Sequence, residues 1–185
     1  MTRIILDGLD VEHIPEFAPK GLFETVRREL SWESHTIRTP GGPRSVPRLL
    51  AWVGDLPYTY SNIRHDPCSW PATIQTLRDS LTTTLNQDFN GCLANLYRDR
   101  HDSISKHADD EPEIVPESTI ASLSLGGMRR FKIRHLEQKK TFTFELGDGD
   151  LLVMRGKTQF VSAHWIDKEK TLCEPRINLT FRLMR

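Results

Sequence analysis

The stretch SISKHADDEPEI, residues 103–114, sets His107 two residues before Asp109 and follows at once with Asp110 and Glu111. Carboxylates this close repel one another unless a positive charge sits among them. An imidazole and a carboxylate at i, i+2 project from the same side of an extended segment, which suits two ligands of one metal ion. Such a site wants a second imidazole. Of the remaining histidines only His164, in VSAHWIDKE, lies in strand-like sequence shortly before a second unusual segment; His13, His35, His65, His101 and His135 read as surface or strand residues. The second segment is RINLTFRLM, whose alternation puts Arg176, Asn178, Thr180 and Arg182 on one face and Ile177, Leu179, Phe181 and Leu183 on the other. At roughly 3.3 Å per residue its two arginines lie ~20 Å apart, and their long side chains can converge on something between them. A buried arginine demands an anion, and two demand a dianion or two acids. CLANLYR repeats the pattern: Cys92, Ala94 and Leu96 share one face, while Asn95 and Tyr97 offer an amide and a phenol to the same pocket.

Two imidazoles and one carboxylate on one face of a metal is the ligand set of non-haem Fe(II) oxygenases, with positions left open for a cosubstrate and O2. A dicarboxylate such as 2-oxoglutarate would chelate the metal at one end and pair with an arginine at the other. Singly, each feature has an ordinary reading. H-x-D occurs by chance, residues 109–111 read as a solvated acidic turn, His164 packs on Trp165, and the arginines meet surface carboxylates. Their conjunction in this order is what favours the metal site.

The elements that must position these residues follow from periodicity. In PKGLFETVRREL, Leu22, Phe23, Val26 and Leu30 share a helical face; in SWPATIQTLRDSLTTTL, Ile74, Leu77, Leu81 and Leu85 do so, with Pro71 near the N-terminus. Between them, RTPGGPRSVPR reads as a loop and LLAWVG as a short strand. Later segments alternate: TIASLSL; RRFKIRHL, with Phe131 and Ile133 opposite Arg130, Lys132 and Arg134; TFTFEL; then GDGD and the apolar run LLVM. Helices first and short strands later predict an α+β fold, with helices buttressing a jelly-roll-like double sheet. The 185 residues, 37% apolar, suffice for one domain. A net charge of zero leaves no global field toward nucleic acid, so any such contact needs a local patch. Three scattered cysteines, Cys68, Cys92 and Cys173, suit a reducing, intracellular compartment, cytoplasmic or nuclear. The N-terminal apolar run is broken by Asp7 and Asp10, so it reads as no signal peptide, and no segment approaches a membrane span.

The series NLYRD, HADDE, His164 and PRINLTFR resembles the AlkB family of Fe(II)- and 2-oxoglutarate-dependent dioxygenases, closest to its animal DNA-repair members. SVPRLLAWVGDLPYTYS resembles that family's nucleotide-recognition lid, and STIASLSLGGMRRFKIRH the strands after H-x-D; the likeness covers roughly residues 46–183. It implies a single dioxygenase domain over 1–185, with a lid at about 36–66 and a double-stranded β-helix core at about 90–185. It implies Fe(II) on His107, Asp109 and His164. It also implies 2-oxoglutarate held by Arg176 and Tyr97 at the far carboxylate and by Arg182 and Asn95 near the metal, with Asn178 and Thr180 beside it. Glu111 would sit by the substrate base, Asp110 would help position the nucleotide, and Tyr58, Tyr60 and Ser61 would line the lid. The implied reaction is oxidative demethylation of N-alkylated bases, such as N1-methyladenine and N3-methylcytosine, in DNA or RNA.

Two departures bear on the substrate. The loop before VPR carries no aromatic wedge for opening a duplex, and IDKEK dilutes its lysines with Asp167 and Glu169. The expected partner is therefore a single strand, met by a monomer, with the basic run Arg129–Lys140 as the candidate phosphate contact. The alternatives are a hydroxylase of the same chemistry acting on a protein or small molecule, and a non-catalytic jelly-roll module that binds nucleic acid.

Overall fold

The computed structural model describes residues 1–39, 42–60 and 63–185. In chain order the strands are β1 (Thr2–Leu6), β2 (Leu9–Ile14), β3 (Glu33–Thr39), β4 (Gly42–Gly54), β5 (Tyr58–Tyr60), β6 (Ile63–His65), β7 (Gly91–Tyr97), β8 (Ile104–His107), β9 (Ile120–Gly126), β10 (Arg129–His135), β11 (Thr141–Leu146), β12 (Leu151–Arg155), β13 (Ser162–Ile166) and β14 (Arg176–Arg182). The helices are α1 (Phe23–Glu29), α2 (Ala72–Leu85) and α3 (Thr158–Val161).

Two sheets form the body. The larger has the order β1-β2-β12-β9-β14-β7-β4-β3, the smaller β11-β10-β13-β8, and β5 and β6 pair as a separate hairpin. The apolar stripes of α1 and α2 cover the outer face of the large sheet: Val26, Ile74, Leu77 and Leu81 join Cys92, Ala94, Leu96, Ile177, Leu179 and Phe181 in one core. A second core lies between the sheets, where Phe131, Ile133, Phe144 and Leu146 meet Ile120, Leu152 and Met154. This is the expected helix-buttressed double sheet. The strands at its centre, β7, β9 and β14, are buried on both faces. Their inner-face polar residues are therefore held inside the molecule.

One segment differs from the sequence expectation. Of RTPGGPRSVPR, read as a loop, Pro40 and Gly41 lie outside the described residues; Arg38 and Thr39 end β3, and residues 42–48 form the first half of a thirteen-residue β4, paired Thr36↔Ser45 and Arg38↔Pro43. Pro47 is tolerated because the β3–β4 register shifts between Ser34↔Leu49 and Thr36↔Ser45, and a proline at such a bulge removes no ladder hydrogen bond. The N-terminal run is also structured. Asp7 (φ 42°) and Gly8 (φ 88°) turn β1 back onto β2 with Leu6 opposite Leu9, an Asp-Gly hairpin.

Candidate metal centre and cosubstrate pocket

β8 ends on His107, and β13 pairs with it so that His164 lies directly opposite. The register slips between His164 and Ile166, opposite residues 104–107, and Asp109 follows just past the end of β8. The two imidazole centroids are 4.2 Å apart. Asp109 Oδ1 lies 3.7 Å from His107 Nε2 and 3.9 Å from His164 Nε2. One donor atom from each residue falls within 4.8 Å of the others.

Each ligand is held by neighbours. His107 Nδ1 donates to the Ser105 carbonyl at 2.8 Å, which fixes the tautomer and leaves Nε2 with its lone pair toward Asp109. Phe131 stacks on His164 at 5.2 Å. Gln159 Oε1 accepts the Asp109 backbone N–H at 2.9 Å. Burial works against the Asp109 carboxylate, yet Arg182, His164 and His107 hold it below the usual carboxylate range. Burial, helped by His107, pushes His164 down to about 3, so it is a neutral imidazole at ordinary pH. A neutral His164 beside an ionised carboxylate is the protonation state that a divalent metal requires of such ligands.

A small cavity lies beside this cluster. Asn95, Tyr97, Ser122, Asn178, Thr180 and Arg182 line it together with the three candidate ligands. The two arginines of β14 behave differently. Arg182 Nη2 pairs with Asp109 Oδ2 at 2.9 Å. Arg176 is 0% exposed and donates through Nη2 only, to Ser124 Oγ (2.8 Å) and Asn178 Oδ1 (2.7 Å). Its Nε and Nη1 have no partner among the described residues, and it faces no carboxylate there. Burial, with Arg129 adding to it, lowers its pKa to about 10 against the opposing influence of Tyr97. Asn178 passes a further hydrogen bond to Thr180 at 2.7 Å and accepts one from Ser122 at 2.9 Å. The donor set fits a small dianion and a divalent metal together.

Above the metal cluster a groove runs between Val46, Arg48, Lys106, Glu111, Trp165 and Lys168. Glu111 lies at its edge with Oε2 buried and unmatched, and burial followed by Asp109 raises its pKa against the opposing pull of Arg182. Asp110 is exposed in the neighbouring surface depression. Tyr58 departs from its expected place on the lid surface. It is 0% exposed, its ring lies 4.7 Å from Trp52 and 5.7 Å from the Arg182 guanidinium, and its hydroxyl donates to Glu111 Oε1 at 3.0 Å. With the ring packed in this way, Tyr58 supports Glu111 and is not presented for stacking on a base. Trp52 rests in turn on a floor without side chains, because a Cβ on Gly54 or Gly91 would come within 2.6 or 2.5 Å of the indole. Tyr60 belongs to β5, and Ser61 lies outside the described residues.

Several site residues carry little signal in the sequence. Arg48, buried at the groove wall, donates to Asn95 Oδ1 at 2.6 Å. Gln159, Ser122 and Ser124 are ordinary polar residues until β12, β9 and β14 are assembled. The basic run is largely occupied: Arg129 is fully buried and donates to the carbonyls of Asp99, Asp102 and Asp167. Arg130 pairs with Glu169 and Lys132 with Asp167. Only Arg134, Lys139 and Lys140 of that run remain for phosphate.

A double-sheet scaffold holding His-Asp-His beside two buried arginines offers the donor set of a metal- and oxoacid-dependent oxygenase, and the comparisons give the family. The chain matches the 2OG-Fe(II) oxygenase superfamily over residues 12–182 and belongs to it. Within that superfamily it is a member of the AlkB family. It is 37% identical over 171 residues to alpha-ketoglutarate-dependent dioxygenase alkB homolog 3 of Homo sapiens, covering 87% of this chain and 60% of that protein. It is 37% identical over 193 residues to DNA oxidative demethylase ALKBH2 of Mus musculus, covering 95% of this chain and 80% of that protein. The chain thus spans 60% of the length of the alkB homolog 3 proteins it matches. The solved structure of OsALKBH1 superposes with a TM-score of 0.68 at 18% identity, covering 98% of this chain and 99% of that one, a likeness of fold.

Proposed function

We propose that this chain is an Fe(II)- and 2-oxoglutarate-dependent dioxygenase that demethylates N-alkylated bases in DNA or RNA, preferring single strands. The reading treats residues 1–185 as one domain acting as an intracellular monomer. One observation carries it. Arg176 is a fully buried guanidinium with two unmatched nitrogens and no carboxylate among the described residues, in the same interior as the His-Asp-His cluster. Leaving such a charge uncompensated is costly, so the interior is built for an anion that arrives with the reaction.

His107, Asp109 and His164 would hold Fe(II), and Arg176 with Tyr97 the far carboxylate of 2-oxoglutarate. Arg182, Asn95, Asn178 and Thr180 would shape the end near the metal, Arg182 chiefly by fixing Asp109. The bound metal and cosubstrate supply the oxidising chemistry with O2. The protein's part is binding and exclusion: the apolar walls Leu93, Ile104, Phe131, Met154 and Ile166 keep water from the reacting centre. Glu111 places one unmatched carboxylate oxygen near the metal cluster, which favours cationic N1-methyladenine and N3-methylcytosine over their neutral parents. Asp110, Tyr60 and Ser61 belong to the nucleotide contacts of this reading.

Single strands are favoured because flipping a base from a duplex costs a few kcal/mol. No aromatic or large apolar residue of segment 39–44 can fill the vacated stack; Pro40 of that segment lies outside the described residues. The test compares succinate formation and base restoration on methylated single strands and matched duplexes at one salt concentration. Faster turnover on single strands is expected, and equal or faster duplex repair would remove the strand preference. His107→Ala should abolish turnover and iron binding at the His-Asp-His cluster with the fold intact, and a variant with wild-type iron affinity there would disprove the ligand assignment.

A further inference from the structure

A second group of metal-binding side chains stands apart from the first. Glu33 and His35 lie on β3 and His65 on β6, and one donor atom from each falls within 4.8 Å of the others. His35 Nε2 is 3.3 Å from Glu33 Oε2. The two imidazoles stack at 5.2 Å with an interplanar angle of 18°. His35 is 4% exposed, and His35 Nδ1 and His65 Nε2 are both buried without a partner among the described residues.

We propose that Glu33, His35 and His65 form a second metal site that takes one Zn(II) ion and clamps the β5–β6 hairpin to β3. A stacked histidine pair serving only as packing needs its ring nitrogens satisfied or hydrated, and here His65 Nε2 is buried and unbonded among the described residues. Zinc–nitrogen bonds of 2.0–2.1 Å make the edge of a tetrahedral site about 3.3 Å, and the Glu33–His35 pair already stands at that separation. Two imidazoles and one carboxylate leave a fourth position for water.

The location gives the site its consequence. The β5–β6 hairpin belongs to neither large sheet, and His65 pairs directly with Tyr58, whose hydroxyl holds Glu111. A metal bridging β3 and β6 would therefore fix the strand that supports the substrate-side carboxylate. This inference concerns metal binding and does not depend on the demethylase reading.

The experiment is equilibrium dialysis of tag-free, metal-stripped protein against zinc, followed by elemental analysis. Wild type is expected to hold two zinc ions per chain, because the His-Asp-His cluster also accepts zinc. His65→Ala and His107→Ala should each hold one, and the double variant none. The ion retained by His65→Ala at the other site also shows that this variant is folded. One zinc in wild type, or two in His65→Ala, would overturn the proposal. Hydrogen exchange in β5 and β6 should slow at least tenfold on zinc addition in wild type and stay unchanged in His65→Ala. An unchanged rate in wild type would overturn the clamp.

Discussion

The two ends of β14 carry the same residue in opposite circumstances. Arg182 and Arg176 share a face of one strand and are both buried, at 2% and 0% exposure. Arg182 has its counter-charge inside the protein, Asp109 at 2.9 Å, and its pKa is driven upward: burial opposes, but Asp109, Tyr58 and Glu111 outweigh it. Arg176 has hydroxyl and amide partners only, and its pKa falls. Arg182 meets a carboxylate within the protein, whereas Arg176 meets none among the described residues. Composition and alternation treat the two alike.

That contrast is open to direct attack. Arg182→Met leaves the buried Asp109 carboxylate without its partner, and metal-free stability should fall by ~3–5 kcal/mol in urea titration. Arg176→Met strands no acid, so the metal-free stability should hold or rise. Comparable losses in the two variants would collapse the distinction. The metal-loaded Arg176→Met protein should instead bind 2-oxoglutarate ten- to a hundredfold more weakly, the equivalent of ~1.5–3 kcal/mol for charge-assisted hydrogen bonds. Calorimetric titration measures it, and an unchanged dissociation constant would return Arg176 to the scaffold. The smallest effect is expected at the support of Glu111. Tyr58→Phe removes one hydrogen bond, about 1 kcal/mol of stability, and should leave 2-oxoglutarate affinity as it was.

The residues legible in the sequence are those whose types are unusual for their pattern. Arginines alternating with Ile, Leu and Phe at 176–182 cannot be ordinary strand polarity, and His-x-Asp with a later histidine restricts the chemistry. The helical stripes were equally plain, because Val26, Ile74, Leu77 and Leu81 recur at helical spacing and do face the sheet. Where the reading fails, one local signal masks another. Gly42, Pro43 and Pro47 look like loop residues, yet a bulge and an edge position accommodate them in strands. Arg129 looks like part of a basic patch, although the alternation of 129–135 sets it beside Phe131 and Ile133, indoors. The partners of Arg48 and Gln159 depend on contacts between strands distant in the chain, and no local pattern reveals them.

Gly54 and Gly91 face each other across β4 and β7, and the Trp52 indole occupies the space above both. Positions 52, 54 and 91 therefore constitute one unit of sequence change. A relative that acquires a methyl group at either glycine must surrender the indole, and with it the surface against which the Tyr58 ring rests. The divergence of the Glu111 side of the cleft is then constrained from below, by residues that lie outside the His-Asp-His cluster. Among related chains, aromatic bulk at 52 should be inherited together with glycine at 54 and 91.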